Sequence, residues 1–124
     1  MKQLRSALAI AVVSFALVGC ASNSGYIPLL RAEPEIGATL NRAPRTLRLF
    51  YAALPDVERS SLRLVGPNGE HQLRGLHTMA ADDLMIEIMD PVTPGEYVVE
   101  WSTAVEGDPT VYSGSYNFRY QASQ

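Results

Sequence analysis

From residue 46 onward the chain alternates apolar and polar residues with a period of two, in short runs that proline and glycine punctuate. In TLRLFY, Leu47, Leu49 and Tyr51 share one side and Thr46, Arg48 and Phe50 the other. In SLRLV, Leu62 and Leu64 alternate with Ser61 and Arg63, and GPNGE follows as a turn. LMIEIM sets Leu84, Ile86 and Ile88 against Met85, Glu87 and Met89, and EYVVEWS sets Tyr97, Val99 and Trp101 against Val98, Glu100 and Ser102. The last run sets Tyr116, Phe118 and Tyr120 against Asn117 and Arg119. Such alternation is the mark of strands buried on one face only. All eight prolines fall between the runs, where a missing backbone donor breaks no ladder. No segment past residue 20 shows a sustained helical period, so the pattern predicts a two-sheet antiparallel sandwich with Greek-key connections. At 124 residues and 47% hydrophobic content the chain carries one such domain with a real core.

The first nineteen residues have a different character. Lys2 and Arg5 precede an apolar run from Ala7 to Val18 that is too short to cross a bilayer as a helix, which is the pattern of an export signal. The run ends in Leu17-Val18-Gly19-Cys20, which is similar to a bacterial lipobox, and Cys20 is the only cysteine of the chain. Lipidation of Cys20 is therefore expected, with residues 1–19 removed as a lipoprotein signal peptide; an ordinary signal peptide cut nearby would leave a free thiol. Residues 20–25 then form the lipidated cysteine and a short polar tether, and residues 26–124 the folded domain. Ala21 stands where inner-membrane lipoproteins usually carry Asp, and resemblance to sorted lipoproteins thus implies the periplasmic side of an outer membrane rather than an inner one.

Without the signal, eight arginines face thirteen acids, a net charge of −5. An acidic surface argues against nucleic acid as a partner. With no cysteine pair there is no disulfide to brace the fold. Neither histidine sits in a nucleophile motif, there is no phosphate-binding glycine loop, and no His/Cys cluster has zinc spacing, so the chain does not read as an enzyme.

Three stretches taken together resemble one family: EPEIGATLNRAPRTLRLFYAALPD (33–56), PVTPGEYVVEW (91–101) and GDPTVYSGSYNF (107–118). Their order is similar to that of the CopC (PcoC-like) periplasmic copper-resistance proteins. The resemblance implies an Ig-like Greek-key sandwich of about seven antiparallel strands and a role in copper binding, handling or resistance. In that family an N-terminal His and an Asp and His of the late loop hold copper(II). Tyr26 falls on the position of the first His, Asp108 on the Asp, Thr110 on the second His and Val111 on a proline. Only the aspartate matches, and Glu106 is the one further carboxylate nearby. Copper(II) prefers a tetragonal set of nitrogen and oxygen donors, so the copper(II) site of the family is expected to be degenerate here. Glu106 and Asp108 alternatively read as solvated turn acids, with Asp108 capping its own turn ahead of Pro109. A calcium ion would require about six to eight oxygens, which this stretch does not supply.

Some members of the family also bind copper(I) through methionines and a histidine, a soft donor set suited to a soft ion. The segment EHQLRGLHTMAADDLMIEIM contains His71, His77, Met79, Met85 and Met89. Met85 and Met89 are expected to face away from Leu84, Ile86 and Ile88, and His77 and Met79 to lie in a preceding loop that folds over them. Copper(I) is thus the more suitable cofactor, although methionines also serve as ordinary gap fillers in cores. Two functions follow as expectations. One is a lipid-anchored copper binder that passes the ion to a partner protein. The other is a metal-free Ig-like interaction module that docks another envelope protein, with Tyr26 and Tyr112 as aromatic anchors.

Overall fold

The computed structural model describes residues 27–79 and 81–122. Each alternating run is a strand, and its alternation sets which side is buried. The strands are β1 (Leu29–Glu33), β2 (Thr39–Leu40), β3 (Thr46–Tyr51), β4 (Ser61–Gly66), β5 (Gly69–Glu70), β6 (Leu73–His77), β7 (Asp83–Ile88), β8 (Gly95–Thr103) and β9 (Tyr112–Tyr120). A 3-10 turn, Val57–Arg59, interrupts them; Asp56 caps it by accepting a hydrogen bond from the Glu58 amide. One sheet has the order β1-β3-β7-β6 and the other β2-β9-β8-β4-β5.

The sandwich predicted from the alternation is therefore present, with two departures. Nine strands are described rather than about seven, because β2 and β5 are only two residues long, too short to display any period. Pairing is antiparallel except between β2 and β9, where Thr39 and Leu40 run parallel beside Arg119 and Tyr120. Parallel neighbours need a long crossover, and here most of the domain lies between the two strands.

The core fills the space between the sheets. Leu47, Leu49 and Leu84 from one sheet meet Leu64, Tyr97, Val99 and Phe118 from the other, all essentially excluded from solvent. Tyr97 and Phe118 stack at 5.2 Å, and Tyr51 meets Trp101 edge-on at 5.8 Å. A Cβ on Gly66 would lie 2.3 Å from the Tyr97 ring, so only glycine lets β4 pass over it.

Residues 34–38 join β1 to β2 and residues 71–72 join β5 to β6, each crossing between sheets at an edge. The sandwich consequently has a β1/β2 side, where the described chain begins, and a β5/β6 side opposite. The two sides carry different side-chain chemistry.

Candidate metal centre

Two regions hold the residues whose chemistry suits a metal. The first is the loop between β8 and β9. Asp108 accepts hydrogen bonds from the Thr110 amide (3.0 Å) and from the Tyr112 hydroxyl (2.9 Å). Those bonds, the Thr110 amide first and the Tyr112 hydroxyl second, outweigh desolvation and hold the Asp108 carboxyl below its ordinary value. The Glu106 amide is tied to the Leu54 carbonyl at 2.7 Å while its side chain is exposed. Both oxygens of Asp108 thus organise the turn, and no imidazole stands beside them. Tyr26 and Cys20 lie outside the described residues.

The second region is the outer face of the β6 end of the first sheet. His77 is the last residue of β6 and pairs across the ladder with Met85 of β7. His77 is therefore in a strand and not, as its sequence context predicts, in a loop; the strand runs to it because Leu73 and Leu76 pack inward against the core and carry the ladder past Gly75. Met85 in turn stands opposite Arg48 of β3, so Arg48, Met85 and His77 form one row across three strands.

The His77 ring is anchored through Nδ1. Nδ1 lies 2.5 Å from the Gly75 carbonyl, which can only accept, so Nδ1 carries the proton. Nε2 is then free to present its lone pair, and it lies 3.2 Å from the Met79 sulfur. Met79 is held in turn by its amide, which donates to Asp83 at 2.8 Å. Asp83 is wholly buried and binds Arg48 at 2.6 Å. A part-buried ion pair thereby fixes the backbone that carries the thioether.

Met89 does not join this group. Alternation continued along β7 predicts it beside Met85, but β7 stops at Ile88 and the Met89 amide bonds to the Gln72 carbonyl. The residue instead lines an open cleft of about 690 Å³ on the β5/β6 side, together with Leu62, Leu73, Ile86 and His71. Its exposure, 40%, is close to the 43% of Met79, yet the two belong to different surfaces.

His71, named in the sequence with the other soft donors, lines this cleft and does not join His77. Its side chain is only 9% exposed, and Nδ1 lies 2.8 Å from Asp90. Desolvation opposes ionisation of Asp90, but the hydrogen bond and charge of His71, with backbone amides, outweigh it and keep its carboxyl below the ordinary value. An ionised Asp90 accepts the Nδ1 proton and leaves Nε2, which has no hydrogen-bond partner among the described residues, as the ring's open position. The signal available in the sequence was only the sharp return after the GPNG turn, which does not reveal that Asp90 waits opposite. Among the described residues no group of three or more His, Cys, Asp or Glu side chains is placed to hold a metal ion. What the geometry offers is a mixed nitrogen and thioether pair, His77 with Met79, flanked by Met85.

Comparison with known proteins agrees with this architecture. The chain is similar in structure to PcoC, a methionine-rich copper resistance protein from Escherichia coli, at 21% identity over 76% of this chain and 97% of that one, with a TM-score of 0.67. It is also similar to CopC from Methylosinus trichosporium OB3b, at 18% identity over 77% of this chain and 94% of that one, with a TM-score of 0.68. No curated protein matches the sequence. The model of the CopC domain family matches residues 29–121, nearly the whole of the described sandwich, and the chain belongs to that family.

Proposed function

We propose that this protein handles copper at the cell envelope and that it holds copper(I), rather than copper(II), on the outer face of β6 and β7. The observation that carries the reading is the approach of His77 Nε2 to the Met79 sulfur at 3.2 Å, with Nδ1 already tied to a carbonyl. Both atoms can reach one ion at about 2.0 Å from nitrogen and about 2.3 Å from sulfur, distances usual for first-row metals. Met85, across the ladder from His77, is the natural third donor. Thioethers and imidazole together select copper(I), and they remain ligands in an oxidising compartment where thiols are lost. A site of this kind suits transient carriage, since His77 and Met79 are both exposed and a partner can add its own donors. Lipidation at Cys20 and an outer-membrane address complete the proposal, with the domain working in the periplasm.

The loop of Glu106 and Asp108 plays no part in this reading, because Asp108 is committed to its own turn. The test is anaerobic titration with copper(I) against a competing chelator, beside a titration with copper(II). One equivalent of tightly held copper(I) supports the proposal. No binding of either ion above the level of exposed histidines would sink it and leave the sandwich as a module that docks another envelope protein.

A further inference from the structure

We infer that the β1/β2 side of the sandwich rests on the lipid bilayer, so that the β5/β6 side, with His77, Met79 and the His71 cleft, points into the periplasm. The inference rests on the proposed lipidation of Cys20 and adds to it an orientation.

Three large apolar side chains near the start of the domain are exposed: Ile27 at 55%, Leu30 at 64% and Ile36 at 57%. Leu30 and Ile36 line a common shallow groove with Arg31, Ala32 and Glu35. Leu30 projects because β1 is irregular there: Leu29 pairs with Tyr51 and Arg31 with Phe50, so Leu30 has no partner on β3. A single exposed leucine has no special meaning, but Leu30 and Ile36 share one groove, and Ile27 is exposed two residues before β1, on the chain that leads to Cys20.

What covers them follows from the chain that precedes them. Cys20 lies seven residues before Ile27. Even fully extended, that segment reaches only about 24 Å at about 3.4 Å per residue. A lipid on Cys20 therefore keeps Ile27 next to the bilayer, and a free protein partner would have to enter that narrow gap. A bilayer is already there. The domain's net charge of −5 gives it no electrostatic attraction to anionic headgroups, so apolar insertion is the force available to hold one face down. Since the lipid supplies the affinity, the patch has only to choose the face.

The test uses the full chain, processed and reconstituted in phosphatidylcholine vesicles. Mass measurement of the mature N-terminal peptide first establishes whether Cys20 carries lipid; an unmodified Cys20 removes the anchor and the inference with it. With Cys20 sealed in a thioether, Glu35→Cys and Gln72→Cys each provide one reactive thiol, on opposite sides of the sandwich. A fluorophore at residue 35 should be quenched several-fold more strongly by headgroup nitroxide lipids than one at residue 72, and Leu30→Glu with Ile36→Glu should erase the difference. Equal quenching at both positions on a lipidated protein, or a difference untouched by the two glutamates, would overturn the orientation while leaving the anchor standing.

Discussion

Asp83 is fully buried and binds Arg48 at 2.6 Å, while its second oxygen accepts the Met79 amide at 2.8 Å. One carboxylate therefore supports both the sheet and the candidate ligand. Removing one partner of a buried ion pair leaves the other uncompensated, at a cost of about 3–5 kcal/mol. Arg48 retains access to water, so Asp83→Ala is expected near the lower end, about 3 kcal/mol, in urea unfolding. Asp83→Asn keeps an acceptor for Met79 and should cost less. The copper(I) affinity of the folded Asp83→Ala protein should fall as well, because Met79 loses its tether. An unchanged affinity would show that the loop holds its place without Asp83.

The His77 pair makes a graded prediction. Loss of a group that only orients a ligand commonly lowers metal affinity about 10–100-fold, and loss of a ligand should do at least as much. His77→Ala is thus expected to weaken copper(I) by about 100-fold or more. Met79→Leu and Met85→Leu, each close in volume, should weaken it while leaving the thermal midpoint nearly unchanged. Met89→Leu should leave copper(I) affinity at the wild-type value, since Met89 lines the other surface. Competition titration of the four variants checks the order; a loss on Met89→Leu equal to that on Met79→Leu would contradict the assignment.

Asp108 should reveal itself in acid rather than in metal binding. Its folded pKa lies below the ordinary 3.8, so as pH falls the unfolded chain takes up the proton first. Its contribution to stability is complete above the unfolded pKa and is lost as pH drops through the folded one. Asp108→Asn should flatten the acid limb of the stability profile below about pH 4 and leave copper(II) binding where it was. A marked drop in copper(II) affinity would instead make the carboxylate a ligand.

The fold was legible in the sequence because its long strands are half-buried. Leu47, Leu49 and Tyr51, or Tyr97, Val99 and Trp101, recur at every second residue, and those are the residues excluded from solvent. Alternation says nothing of two-residue strands, nor of where a run stops. Hence it puts Met89 on the face of Met85 although the ladder ends one residue earlier. The candidate site was legible in kind but not in membership. Soft donors cluster between residues 71 and 89, but only the register of β6 on β7 brings His77 to Met85. The Asp90 partner of His71 lies nineteen residues away, a distance over which composition carries no geometric signal.

Tyr116 offers a test of the core itself. Its hydroxyl is buried and has no hydrogen-bond partner among the described residues, while its ring belongs to the central cluster. A buried donor without a partner costs about 1–3 kcal/mol, so Tyr116→Phe, which keeps the ring, should raise stability at neutral pH by about 1 kcal/mol. The same hydroxyl governs the alkaline limb. Burial pushes Tyr116 well above the ordinary range, with Tyr51 adding to the effect. Burial likewise pushes Tyr51 up to about 12, against a hydrogen bond from Thr103 that lowers it. A raised tyrosine pKa means that the unfolded chain ionises first, so stability is intact below about pH 10 and falls as pH rises above it. For Tyr51, the rise from the ordinary 10.0 to about 12 corresponds to a loss of about 2 kcal/mol by about pH 12. Tyr116→Phe removes one of the two titrations and should make the decline shallower. Denaturant unfolding at about pH 7 and across about pH 9 to 11 measures both effects, and a variant less stable than wild type at neutral pH would mean that the hydroxyl is satisfied after all.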